Sequence, residues 1–223
     1  MTTSTIDLLI KSAPLLLWGM FETLTLSLGA LAIALFLGLL VGIATCKRLR
    51  VYFLAPVLDA YVFCVRGIPF FVQLLMVYFV LPDLLGLNLS PFAAGVLALG
   101  LCSAGYVAEI VRSGINALPD GQWDACRALG YSTFAMLRFV ILPQMFAHAI
   151  PTFANECISV VLSTSLISQI GALELTKAGA NIIAREMNPM AIYGAIAVLY
   201  LILTTIIMIV AKWLERRRSY AGR

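Results

Sequence analysis

The chain has 223 residues, of which 62% are hydrophobic and only 12% charged, and its mean hydropathy is +1.00. Because soluble domains are about one quarter charged, this composition excludes a soluble protein and predicts an all-α membrane protein surrounded by lipid. The net charge of +4 should report membrane topology, since basic residues collect on the cytoplasmic side. We expect no nucleic-acid partner.

The first apolar run covers residues 18–45 and ends at the basic sequence CKRLR, which marks a cytoplasmic end. The run is too long for the apolar part of a signal peptide, so we expect the N-terminus to be retained. The second run, residues 54–81, is interrupted by Arg66, Gly67 and Pro69. It closes in a loop without a basic residue, which we place outside.

The third run, residues 91–115, leads into a polar-rich loop of residues 116–137, which Arg112, Arg127 and Arg138 place inside. A fourth run covers residues 139–162. Residues 163–189 are too polar for an ordinary span, and we interpret them as an external or re-entrant helical segment. The last run, residues 191–210, precedes a basic C-terminus.

These runs predict one transmembrane domain, residues 1–223, with five helices, the N-terminus outside and the C-terminus inside. Eleven of the fifteen Lys and Arg residues then lie on the cytoplasmic side, as expected for membrane proteins. Adding or removing one span would put the basic groups on the wrong side.

Five charged residues lie in or near the spans: Glu22, Asp59, Arg66, Glu109 and Glu156. A charge at the centre of a span costs about 2.5–3.5 kcal/mol on insertion scales, so these side chains should face protein or water. They either line a pathway for a charged or zwitterionic solute or pair with one another. For Glu22 and Asp59 we favour the membrane interface. The third span also carries small residues that permit close helix packing, namely Gly95, Gly100, Ser103, Ala104 and Gly105.

The sequence lacks the residue patterns of an enzyme. His148 is the only histidine, the five cysteines show no CxxC spacing, and no phosphate-binding loop or HExxH motif occurs. We therefore expect neither a metal site nor a cofactor bound by this chain. If the protein pumps a solute, another subunit must supply the energy.

The loop of residues 116–137 has the pattern of two short helices joined by a turn. A helix start is predicted at residues 119–121, where Asp124 could accept hydrogen bonds from free backbone N–H groups. Gly130 permits the left-handed conformation that ends a helix.

Here the sequence resembles the membrane-spanning permeases of bacterial ABC importers for polar amino acids, of the histidine, arginine, glutamine and cystine type. Their signature is EAA, three residues, Gly, nine residues and Ile-x-Leu-Pro. It stands here, with its spacing intact, as Asp124, Ala125, Cys126, Gly130, Val140, Leu142 and Pro143. Three further stretches look like the same family: RGIPFFVQLLMVYF, GYVAEIVRSGINALPDGQ and NECISVVLSTSL. Leu162 stands where a lysine is often found.

The resemblance implies a type I ABC importer permease in the bacterial cytoplasmic (inner) membrane. Two such subunits, identical or paralogous, would enclose a path above two ATPase subunits, which bind ATP and Mg. A periplasmic or extracellular solute-binding protein would dock outside. By the same resemblance Asp124, Ala125, Cys126 and Gly130 couple the permease to the ATPase. An apolar face of Trp123, Ala125, Ala128 and Leu129 could contact that partner.

A polar amino acid carries an ammonium and a carboxylate, and each needs a partner inside the membrane. The candidates are Arg66, Gln73, Glu109 and Glu156. The alternative to an importer subunit is a stand-alone channel or secondary carrier for a small polar solute, which the spacing of the loop signature disfavours. The carried amino acid, and whether the pair is homo- or heterodimeric, stay open.

Overall fold

The computed structural model describes residues 5–221, with side chains for residues 5–217, and in this part of the chain there are helices and no strands. The helices are α1 (Thr5–Thr45), α2 (Ala55–Gly67), α3 (Phe70–Leu85), α4 (Pro91–Asn116), α5 (Asp120–Ala128), α6 (Thr133–Ile170), α7 (Leu175–Glu186) and α8 (Pro189–Ala221). Both α3 and α6 contain a π-helical turn, over residues 76–80 and 137–141 respectively.

Four of these helices, α1, α4, α6 and α8, are long and apolar enough to cross a membrane. Helices α2 and α3 pass the same test together, but a bend of 108° separates them. The predicted helical membrane fold is confirmed, and the count of five spans holds when the bent pair is one span.

Helix α1 is longer than the predicted span of residues 18–45. It has 41 residues and is therefore about 60 Å long at 1.5 Å per residue, roughly twice the thickness of a bilayer core. Its first turns bury Leu8 and Leu16 in a cluster with Leu175 of α7 and Ile192 of α8. Polar residues are scattered through this first segment, so no long apolar run indicated that it belongs to the helix.

The bend between α2 and α3 follows from proline chemistry and is stabilised by one glutamine. Pro69 holds Ile68 in an extended conformation, with φ −99° and ψ 132°, so the helix stops and leaves backbone carbonyls without helical donors. The side-chain amide of Gln73 donates to the carbonyl oxygens of Val65 and Ile68, both at 2.8 Å. Backbone groups at membrane depth need such internal partners.

Helix α6 extends past the predicted end of the fourth span at residue 162. Its apolar positions continue to Ile170, and Gly171 then ends the helix with a left-handed φ of 92°. Residues 163–170 therefore belong to the fourth long helix. The separate helix that we predicted in this region is the shorter α7.

Helices α1 and α4 pack closely because small residues face each other. A Cβ atom on Gly38 would lie 2.9 Å from the carbonyl oxygen of Ala104, and one on Gly42 would lie 2.7 Å from that of Ala108. In α4, Gly100 faces Ile33 and Gly95 faces Ile167 in the same way. The predicted packing role is confirmed for Gly95 and Gly100 of the third span, whereas Ser103 lines a cavity.

Candidate functional site

Helix α5, in the predicted cytoplasmic loop, is anchored to the body of the protein by one face. Trp123 and Cys126, three residues apart, are 1% and 4% exposed. They pack in a core cluster with Ile115 of α4 and Met145 of α6. The opposite face, including Leu129 at 75% exposed, is open.

A glycine fixes the end of α5. Gly130 has φ +74°, its N–H donates to the carbonyl of Arg127 at 2.9 Å, and the N–H of Tyr131 donates to that of Cys126 at 3.0 Å. These two bonds form a Schellman motif. The predicted left-handed conformation of Gly130 is confirmed.

Polar contacts tie α5 to the end of α1. The guanidinium of Arg48 pairs with the carboxylate of Asp120 and lies 5.5 Å from the centroid of the Trp123 ring. The backbone N–H of Lys47 donates to the side-chain oxygen of Asn116 at 3.0 Å. A displacement of α5 would therefore be transmitted to α1 and α4.

The structure changes three details that we predicted for this loop. Trp123 faces the protein's own core, so it does not belong to an exposed docking face, and the side chain of Cys126 is turned inward with it. Asp124 lies in the second turn, beyond the free N–H groups, and pairs with Arg127 at 3.5 Å. The three differences have one cause. Because α5 begins at Asp120, the position of each residue around the helix decides whether its side chain faces inward.

Exposed apolar side chains that the sequence pattern did not single out continue the open surface of α5. Phe134, at the start of α6, is 68% exposed, and Tyr131 is also exposed. Both lie outside the five predicted spans, where large exposed apolar groups point to a partner surface.

Five charged side chains form a chain of ion pairs, one from the segment between α1 and α2 and four from α2 and α4. Asp59 accepts from Arg50 at 2.7 Å and lies 3.7 Å from Arg112. Glu109 pairs with Arg112 at 2.6 Å and with Arg66 at 3.5 Å. From the sequence we placed Asp59 at the interface and Arg112 at the cytoplasmic end of the third run, and we did not predict that they belong to one network.

A cavity of about 380 Å³ adjoins the far end of this network. Arg66 and Glu156 line it from different helices, together with Ser103, Tyr106 and Ser159. The guanidinium of Arg66 lies 5.6 Å from the centroid of the Tyr106 ring. Among the described residues no ion pair joins Arg66 to Glu156, so the cavity presents one positive and one negative group.

The four predicted pathway residues therefore occupy different places. Arg66 and Glu156 share the cavity, and Glu109 stands behind Arg66 as its ion-pair partner. The side-chain amide of Gln73 is hydrogen-bonded to the carbonyls of the bend, and Gln73 is not among the residues that line the cavity. In the described part of the chain no group of three His, Cys, Asp or Glu residues could hold a metal ion.

A fully buried acid, Glu174, lies where α7 begins and is not among the residues that line the cavity. The carboxylate of Glu174 accepts from the backbone N–H groups of Thr176 and Lys177 at 2.9 and 2.7 Å, and from the Tyr200 hydroxyl at 2.9 Å. Burial raises the pKa of the Glu174 carboxyl, against the opposing effect of the N–H donors. This acid caps a helix and carries no chemistry.

Comparison with known proteins connects this geometry to one family. Residues 34–220 match the model of the binding-protein-dependent transport system inner membrane component. The chain is 36% identical over 205 residues to the glutamine transport system permease protein GlnP of Escherichia coli (strain K12), and the match covers 92% of this chain and 93% of that one. It is 34% identical over 211 residues to the arginine transport system permease protein ArtQ of Bacillus subtilis (strain 168), covering 93% and 94%.

Solved structures show the same fold. The crystal structure of an amino acid ABC transporter with histidines has a chain that is 33% identical, with a TM-score of 0.86, covering 97% of this chain and all of that one. A chain of the MetNI methionine ABC transporter, in an inward-facing conformation, has a TM-score of 0.79 at 23% identity and supports the fold alone.

Proposed function

The chain belongs to the family of inner membrane components of binding-protein-dependent transport systems, and from this premise we propose that it is the permease subunit of an ATP-driven ABC importer for a polar amino acid. It is a transporter subunit and not an enzyme. The observation that carries the proposal is helix α5, which is anchored on one face, open on the other and ended by a fixed turn.

Helix α5 couples the permease to an ATPase subunit. Asp124, Ala125, Ala128 and Leu129 lie on its open face, where an ATPase groove could receive them. Cys126 anchors the helix and Gly130 fixes its end. Because Arg48 and Asp120 tie α5 to α1, closure of the ATPases on ATP and Mg moves the spans as a rigid body.

The cavity between Arg66 and Glu156 binds the amino acid. Arg66 pairs with the carboxylate of the solute, and Glu156 pairs with its ammonium group. Glu109 holds the guanidinium of Arg66 from behind, and Gln73 maintains the bend that places Arg66 at the end of α2. Relatives named for glutamine and arginine support an amino acid as the solute class.

The working transporter contains further subunits. Two ATPases bind below the membrane, a second copy of this permease or a paralogue completes the path, and a solute-binding protein docks on the other side. The assembly lies in the bacterial cytoplasmic membrane.

Purification of the tagged chain from detergent-solubilised membranes, followed by mass spectrometry, tests the proposal. We expect an ATPase subunit to co-purify, and the reconstituted complex to accumulate L-glutamine, L-arginine or L-histidine only with ATP. A chain that purifies alone and moves solute into liposomes without ATP would instead be a channel or secondary carrier.

A further inference from the structure

A second cavity, of about 570 Å³, lies between α4, α5 and α6 at the end of the molecule that carries α5. Its polar lining consists of Ser113, Gln122, Gln144, His148 and Thr152, and among the described residues no Asp, Glu, Lys or Arg contributes to it. It differs in this respect from the first cavity, which Arg66 and Glu156 line.

The two cavities lie along one face of α4. Leu99, Ser103 and Tyr106 line the first cavity, and then Ile110, Ser113 and Ala117 line the second. Steps of three and four residues keep side chains on the same side of a helix. The face therefore runs without a break from one cavity to the other.

Helix α6 also lines both cavities with one of its faces, on the side opposite α4. Gln144, His148 and Thr152, four residues apart, line the second cavity, while Glu156, Ser159 and Ser163 continue the same face into the first. Thr152 and Glu156 are one helical turn apart, about 6 Å along the axis. Polar groups thus follow one groove along two spans.

We propose that the second cavity is the release site of the transport path, which holds a polar amino acid after it leaves Arg66 and Glu156. The inference rests on the proposed function. Arg66 and Glu156 offer ion pairs to the carboxylate and the ammonium of a zwitterion. The second cavity offers only hydrogen bonds from neutral side chains, so a zwitterion binds more weakly there. A path needs such a site, because transport requires that the solute also leave.

The lining offers both donors and acceptors for a zwitterion. Nδ1 of His148 lies 2.8 Å from the carbonyl oxygen of Gln144, which places the ring proton on Nδ1 in the neutral imidazole and leaves Nε2 as an acceptor. The hydroxyls of Ser113 and Thr152 can donate to a carboxylate.

One wall of the release site belongs to the helix that couples to the ATPase. The amide of Gln144 donates to the side-chain oxygen of Gln122 on α5 at 3.3 Å. When the ATPases displace α5, this contact carries α6 along with it, and the release site moves with the spans in the same step. Release is thereby linked to the ATPase cycle.

Solute protection of an introduced thiol tests the proposal in the reconstituted complex. His148→Cys is made in a Cys64→Ser background, because Cys64 is the exposed native cysteine in the described chain, and is labelled with a charged thiol reagent. The probe is whichever of L-glutamine, L-arginine and L-histidine the complex transports. We expect a saturating concentration to slow labelling of His148→Cys at least threefold, and to leave Thr133→Cys, exposed outside the cavity, unchanged.

Thr152→Cys provides a second probe in the same cavity if the first variant does not assemble. Adding Gln122→Leu should raise the amino acid concentration needed for protection by roughly 3–10-fold, the effect of removing one hydrogen-bonding side chain. Equal labelling with and without the amino acid, in a complex that still transports it, would overturn the release site alone. A wild-type complex that takes up none of the three would overturn the proposed function as well.

Discussion

At the scale of single residues, burial decides what each acid does. Glu174 is 0% exposed and supports the junction of α7 with α8 through the hydroxyl of Tyr200. Glu156 lies in a cavity opposite a guanidinium. The fully buried acid is a helix cap, and the half-buried acid that lines a cavity is the candidate binding group.

The raised pKa of Glu174 makes stability depend on pH. A carboxyl whose pKa is higher in the folded state stabilises the fold below its ordinary value of 4.5 and loses that contribution as pH rises through the folded value. We expect the thermal unfolding midpoint of the wild type in detergent to fall from pH 5 to pH 8 relative to that of Glu174→Gln, which cannot ionise. Glu186→Gln, at an exposed position, is the control and should follow the wild type. Parallel curves for all three proteins would contradict the prediction.

Removing either charge from the cavity should weaken uptake. Arg66→Gln or Glu156→Gln deletes one charge-assisted hydrogen bond to the solute, worth about 1.5–3 kcal/mol, so the half-saturating concentration of transported amino acid should rise about 10–100-fold. Uptake kinetics in proteoliposomes measure this. Lys11→Gln removes a charge at a side chain that is largely exposed and should leave the kinetics unchanged. Unaltered uptake kinetics in both cavity variants would show that Arg66 and Glu156 do not bind the transported amino acid.

At the scale of elements, α5 shows how much a short amphipathic helix depends on its register. The residues 119–130 were sufficient to predict a helix, a turn at Gly130 and a surface role. The inward direction of Trp123 and Cys126 was not predicted, because it follows from where α5 lies against α4 and α6. The π-helical turns and the extension of α1 likewise lack a local signal.

Gly130 should be needed to couple transport to ATP hydrolysis, and it should not be needed for insertion of the chain into the membrane. Valine in the left-handed region costs about 1–2 kcal/mol, so Gly130→Val should disturb the end of α5 and lower the amount of amino acid transported per ATP hydrolysed. Gly121→Val is the matched control, since Gly121 lies in the same helix without a positive φ, and a Cβ atom added there would meet no neighbour within 4 Å. An unchanged transport ratio in Gly130→Val would count against a coupling role.

At the scale of the whole molecule, orientation follows from the distribution of basic residues. Eleven of the fifteen lie on the predicted inner side, so the C-terminus should face the cytoplasm. A fluorescent protein that matures only in the cytoplasm, fused after Arg223, should fluoresce, and the same fusion in the loop after Leu87 should stay dark. The reverse pattern would invert the topology.

The helical membrane fold, the number of spans, the position of the polar loop and the family could be predicted from the sequence, because long apolar runs, basic ends and motif spacing are local properties. The three-dimensional structure was needed to show that Arg66 and Glu156 line one cavity, that Gln73 stabilises the bend, and that Asp59, Arg112 and Glu109 form a network. The cavity and the network join α2 to helices much later in the chain, and the close packing of small residues between spans sets which side chains face each other.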